Sequence, residues 1–191
     1  MMIRIWPFMA CLLFAVSCKS QKGTTGTPDR YNTQVDSVLA LMTLEEKIGQ
    51  MTLYTTDWES TGPTIRKGYQ EDIRKGTCGA LFNSHTVAFT RQLQDIAVKE
   101  SRLGIPLLFG YDVIHGYKTI FPVPLGESCS WDLAAIEQSA SIAAAEAAAA
   151  GLHWTFAPMV DISREPRWGR VMEGAGEDPF LGSLIARARV H

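Results

Sequence analysis

Ile105-Pro106-Leu107-Leu108-Phe109-Gly110-Tyr111 is a continuous apolar run of strand length, and it ends on an acid, Asp112. A strand with one wet face alternates apolar and polar residues. An unbroken run therefore points to a strand buried on both faces, as in a parallel sheet. The arrangement recurs downstream, where Trp154-Thr155-Phe156-Ala157-Pro158-Met159-Val160 is followed by Asp161. Upstream, Gly79-Ala80-Leu81-Phe82-Asn83 is a shorter run of the same kind. Helical patterns separate these stretches. Thr86 to Ser101 carries Val87, Leu93, Ile96 and Ala97 among polar residues, and Trp131 to Gly151 opens on Asp132 as a cap, runs through alanines and closes on glycine. So many alanines predict close packing of that helix against a sheet. Thr43 and Glu46 form a capping-box pair with Leu44, Ile48 and Met51 behind it, and an amphipathic turn, Val35 to Met42, leads into it. Thr56 to Tyr69, with Gly62, Pro63 and Gly68, reads as loop. Three strand candidates alternating with helices predict βαβ units, a parallel sheet and an α/β fold.

Composition sets the frame for function. A chain of 191 residues that is 46% hydrophobic and 20% charged can bury a core and is neither disordered nor collagen-like. Its 18 basic against 20 acidic residues leave a net charge of -2, which disfavours nucleic acid as a partner. The N-terminus has the plan of an export signal. Arg4 precedes the apolar run Ile5 to Val16, which is too short for a spanning helix and gives way to polar Lys19-Ser20-Gln21-Lys22. Ala15-Val16-Ser17-Cys18 is similar to a bacterial lipobox, so residues 1–17 are expected to be a signal peptide and Cys18 the site of lipid attachment. Residues 18–30, rich in Gly, Thr and Ser, would then be a flexible tether, and the membrane a partner through the lipid. Residues 31–191 would be the folded part. It holds Cys78 and Cys129, too few for a disulfide framework and without zinc-site spacing, and both are expected to be buried. The final segment, Pro179 to Arg189, reads as a helix that reaches His191 without a cap, which suggests the N-terminal piece of a longer protein.

In parallel α/β architectures ligands meet the C-terminal ends of the strands, which is where Asp112 and Asp161 fall. Asp112 leads into Val113-Ile114-His115-Gly116, and an ionised carboxylate there could accept from sugar hydroxyls or cap its own loop. Beyond Asp161, Arg164, Arg167 and Arg170 surround Trp168, with Glu165 and Glu173 close by. Arginines can donate to ligand hydroxyls and tryptophan can offer a ring an apolar face, but such a cluster can equally be an ion-paired loop. Glu177 and Asp178 are best read as capping the helix at Pro179. His115 and His153 stand alone, so each is expected to be structural; neither a metal nor a cofactor is expected.

Several motifs then combine: Leu41-Met42-Thr43-Leu44-Glu45-Glu46-Lys47-Ile48-Gly49-Gln50-Met51, Asp112-Val113-Ile114-His115-Gly116, Thr119-Ile120-Phe121-Pro122, Phe156-Ala157-Pro158-Met159-Val160-Asp161-Ile162, Pro166-Arg167-Trp168-Gly169-Arg170 and Gly176-Glu177-Asp178-Pro179. Together they resemble the N-terminal domain of glycoside hydrolase family 3, in its β-glucosidase-like members. The resemblance runs from about Val35 to the end. It implies the N-terminal part of a TIM-type (β/α)8 barrel, incomplete in this chain, since three strand candidates fall short of the eight a barrel needs. It further implies an exo-acting, retaining β-glucosidase whose substrate is a β-linked oligosaccharide or glucoside, cleaved by an aspartate nucleophile and a glutamate acid/base. By the same resemblance Asp112 grips hydroxyls of the terminal sugar and Arg170 lies beside it, while nucleophile and acid/base lie beyond His191, so no catalytic residue is expected within the chain. Glu165 stands where the motif more often has Asp, which touches only local bracing. Val113-Ile114-His115-Gly116 differs from the Glu-Gly-Gly-like run of the family's β-N-acetylhexosaminidase branch. Three alternatives stay open: a β-xylosidase of the same family, a non-catalytic carbohydrate-binding lipoprotein, and a small self-contained hydrolase in which Glu173 or Glu177 works with Asp161.

Overall fold

Thr43 opens its helix as the spacing predicts. Its hydroxyl accepts from the Glu46 backbone at 3.2 Å, while the Glu46 carboxylate accepts from the Thr43 backbone at 2.8 Å. In the computed structural model, which describes residues 31–56 and 68–190, this helix is α2 (Leu44–Gln50). The signal, Cys18 and the tether lie outside the described residues. The chain divides into two units, Met1–Val38 and Leu39–His191. The described part of the first is the opening of helix α1 (Asn32–Leu41), where the Ser37 hydroxyl donates back to the Thr33 carbonyl.

The second unit alternates strand and helix. The order is β1 (Leu53–Thr55), α3 (Tyr69–Lys75), β2 (Ala80–Phe82), α4 (Val87–Glu100), β3 (Leu108–Tyr111), α5 (Pro124–Ser128), α6 (Leu133–Ala149) and β4 (Trp154–Thr155). A 3-10 turn, Val171–Glu173, and helix α7 (Pro179–Val190) follow. The strands pair in sequence order, β1-β2-β3-β4, and every pairing is parallel. Each return to the next strand passes through helix, which is what parallel pairing requires. The fold is α/β, with successive βα units laid out as in the first part of a (β/α)8 barrel.

Register explains the burial. Tyr54, Leu81 and Phe109 form one row across the sheet, and Leu81 and Phe109 are fully buried. That row packs on Ile73, Leu93, Ala97 and Ala143 from the helices. The alternate positions, Leu53, Ala80 and Leu108 and then Thr55, Phe82, Gly110 and Trp154, share the opposite face.

The structure corrects several expectations. There are four described strands where three are expected, because in Leu53–Thr55 only Leu53 and Tyr54 are apolar, between threonines, without the longer apolar run that marks the other three. Helices α3 and α5 are likewise absent from the sequence reading. The strand around Leu108 is not buried on both faces: Leu108 is 53% exposed, on the face opposite the helices, where Phe156 covers Phe82 and Gly110 but leaves Leu108 open. The run from Trp154 to Val160 is strand only at Trp154–Thr155. The Thr155 hydroxyl takes the Ala157 N–H, and Pro158 has no N–H to pair. Helix α6 buries one stripe, Ile136, Ser139, Ala143 and Ala147, and leaves most of its other alanines exposed. Cys78 is buried as expected but Cys129 is exposed, at the end of α5 where its thiol rests on the Leu125 carbonyl at 3.2 Å.

Candidate active site

Parallel pairing brings the strand C-termini to one edge, and the chemistry-bearing side chains gather there. Asp112 follows β3 directly. Its carboxylate accepts no hydrogen bond from another described residue. Crowding by surrounding atoms raises its pKa above the ordinary aspartate value; the positive charge of Arg170 opposes that rise and Glu173 adds to it. Asp112 is thus open to solvent, partly desolvated, and in the electrostatic reach of Arg170.

Arg170 is held by its own loop. Its Nε and Nη2 donate to the two carboxylate oxygens of Glu173 at 2.9 and 2.6 Å, a fork that fixes the guanidinium plane. This contact holds Glu173 below its usual pKa and keeps Arg170 firmly protonated, with Asp112 and Asp161 adding smaller contributions. Nη1 donates to no described residue, so part of the fork is available to another acceptor. The loop itself is pinned where the Ser163 N–H donates to the Gly176 carbonyl at 3.1 Å.

The remaining predicted residues divide into two groups. Asp161 belongs to the cluster through its charge on Arg170. Arg167 is instead an outlying ion pair: its Nε and Nη2 clasp Glu165, its side chain is 87% exposed, and Glu165 is pulled down to about 2 by that contact. Arg164 is exposed and Trp168 half-buried. Asp178 caps α7 as expected, accepting from the Phe180 N–H at 2.9 Å, while Glu177 is exposed. His153 is structural: its Nδ1 accepts from the Phe109 N–H at 3.1 Å and its ring stacks on Phe109. His115 Nδ1 lies 3.0 Å from the Phe121 carbonyl and helps close the loop after β3.

An aromatic group beside Asp112 escapes the sequence reading. Tyr111 packs between the His85 ring, at 5.5 Å, and the Tyr117 ring, at 6.0 Å edge to face. The Tyr117 hydroxyl donates to the His85 carbonyl, and burial pushes its pKa up. His85 follows β2 at the same edge, a position that the rule for Asp112 and Asp161 would have flagged had it been applied to the shorter strand. A cavity of about 290 Å3 lies behind this edge, between Val113–Gly116, the alanines of α6 and Leu152–Thr155. Neither Asp112 nor Arg170 lines it, and its walls are mostly apolar, so it does not supply the acceptors and donors a sugar requires.

Residues 43–191 match the glycosyl hydrolase family 3 N-terminal domain. The chain belongs to glycosyl hydrolase family 3. A periplasmic beta-glucosidase of Salmonella typhimurium is 44% identical over 164 residues, covering 86% of this chain and 21% of that protein. A putative beta-xylosidase of Formosa agariphila is 27% identical, covering 91% of this chain and 25% of its own length. Among solved structures, the beta-glucosidase of Listeria innocua in complex with isofagomine aligns with a TM-score of 0.74 at 41% identity, over 83% of this chain and 22% of that one. The chain therefore spans about a fifth of the length of the curated family 3 relative from Salmonella.

Proposed function

We propose that the whole protein is an exo-acting, retaining β-glucosidase, and that this chain supplies the part of its site that holds the terminal sugar. The observation that carries the reading is the strand-end pair: a carboxylate on Asp112 without a described partner, facing the field of an arginine whose orientation Glu173 fixes. A carboxylate of this kind accepts from sugar hydroxyls in charge-assisted hydrogen bonds, and Arg170 donates to the same ring through its remaining N–H groups. The nucleophile and the acid/base are assigned to the part of the barrel beyond residue 191. Residues 1–17 are read as an export signal, 18–30 as a tether anchored through a lipid on Cys18, and 31–191 as the first part of the barrel domain. The Salmonella relative, named as periplasmic, supports export.

The test uses the full-length protein with aryl β-glucoside and aryl β-xyloside substrates. The reading expects turnover of the glucoside, and a fall in kcat/KM of about a hundredfold or more for Asp112→Ala, the loss of a charged hydrogen bond worth roughly 3 kcal/mol. Preference for the xyloside would favour the second reading, a β-xylosidase, which the Formosa relative supports. Sugar binding without turnover of either would leave a carbohydrate-binding lipoprotein.

A further inference from the structure

Asp112 has no described hydrogen-bond partner of its own, so its neighbours must hold it in place. On one side the Val113 N–H donates to the Thr155 hydroxyl at 3.2 Å, and the Val113 side chain is buried in the core. Further along, the loop is closed by the Phe121 N–H on the His115 carbonyl at 2.8 Å, and clasped by Glu146 of α6, which accepts from the Lys118 and Thr119 backbones at 2.8 Å. The stretch between is held at Ile114. Its carbonyl accepts from Nη1 of Arg189 at 2.8 Å.

Arg189 sits near the end of α7 with its side chain only 8% exposed, and its Nη2 pairs with Glu127 of α5, itself 9% exposed. The other oxygen of Glu127 accepts from the Ser139 hydroxyl of α6 at 2.5 Å. A buried ion pair is weak grounds for stability, because desolvating both charges offsets much of their attraction. What it does provide is geometry, since a planar fork with two fixed acceptors has one orientation. This fork joins the Asp112 loop to the helix that follows the Arg170 loop.

We infer that the buried Arg189–Glu127 pair is a positioning device for the sugar site: through the Ile114 carbonyl it sets where Asp112 stands relative to Arg170. The inference rests on the proposed sugar-gripping role of Asp112. Arg189 touches no substrate; it acts through the loop.

The experiment is a double-mutant cycle in the full-length protein, with Arg189→Lys and Asp112→Asn, reading kcat/KM on an aryl β-glucoside and the Kd of isofagomine, with thermal unfolding as a control on folding. Lysine keeps the charge for Glu127 but offers a point where arginine offers a fork. The expected result is a drop in kcat/KM of about tenfold to a hundredfold for Arg189→Lys, the scale of a displaced contact. Isofagomine binding weakens in parallel. In the Asp112→Asn background the same change has no further effect. Equal losses in both backgrounds, or no loss in either, overturn the inference, because a purely structural pair acts independently of Asp112. If Asp112→Asn alone leaves kcat/KM unchanged, the sugar-gripping reading fails, and that outcome is visible in the single variant. Should Arg189→Lys fail to fold, Arg189→Gln combined with Glu127→Gln removes both charges together and enters the same cycle with the same criteria.

Discussion

Asp112 is a carboxylate in a place where its charge is disfavoured. Its folded pKa lies above its value of 3.8 in an unfolded chain, with burial the largest cause. The folded form therefore binds the proton more tightly, and stability falls as pH rises through the window between 3.8 and the raised value. At neutral pH the whole penalty is present. Asp112→Asn in the full-length protein is accordingly expected to melt at or above the wild-type temperature at pH 7 while losing activity, the difference in melting shrinking as pH falls toward 3.8. Thermal unfolding at a series of pH values checks this. A variant that melts lower at pH 7 would mean that the carboxylate braces its own loop. Glu173 behaves oppositely, since Arg170 lowers its pKa and that contribution is lost only in acid. The two acids thus contribute to stability with opposite pH dependence, Asp112 as a carboxylate at a cost and Glu173 as one braced by Arg170.

At the scale of elements, the closest approaches are made by backbone. Gly49 of α2 lies against the turn after α3, where an added Cβ would stand 2.3 Å from the Gly76 carbonyl oxygen and 2.6 Å from the Thr77 Cα. Both obstacles are main chain and cannot rotate away. Gly49→Ala is expected to destabilise by about 1–3 kcal/mol, the usual range for overpacking, despite alanine's better helix propensity. Chemical denaturation would measure it, and an unchanged midpoint would show that α2 shifts freely. Elements with a strong local signal were legible in the sequence: the Thr43–Glu46 box, the Asp132 cap of α6, and the long periodic pattern of α4. Those defined by partners were not. Leu53–Thr55 is a strand because β2 lies beside it in register, and nothing within three residues announces that. Of the candidate site, the strand-end position of Asp112 and the arginine cluster can be seen in one dimension, whereas the pairing of Arg170 with Asp112 comes from the family resemblance. The Glu127–Arg189 pair, 62 residues apart, and the His85–Tyr111–Tyr117 group, drawn from the end of β3 and two loops, exist only once the sheet is assembled.

Across the whole sheet, one face is finished and the other is not. The helix-facing row is buried, whereas Leu53, Leu108, Trp154 and Phe156 on or beside the opposite face are 39%, 53%, 42% and 42% exposed. Gly110 sits in that face, with Phe156 packed so close that an added Cβ would lie 3.1 Å from its ring, and Phe156 meets Phe82 edge to face and Trp154 at a tilt on the same side. In a closed barrel this surface is the packed interior and β1 and β4 pair with further strands. Among the described residues, each outer strand is paired on one side only and stands beside exposed apolar side chains, a combination that promotes association between molecules. Produced on its own, the 191-residue chain is therefore expected to bind a hydrophobic dye and to form concentration-dependent oligomers in sedimentation, without hydrolysing a β-glucoside. The full-length protein should show neither dye binding nor that association. A short chain that sediments as a compact monomer and melts in one cooperative transition would mean that these four strands are covered by the chain's own residues, and the open barrel face would no longer describe its state in solution.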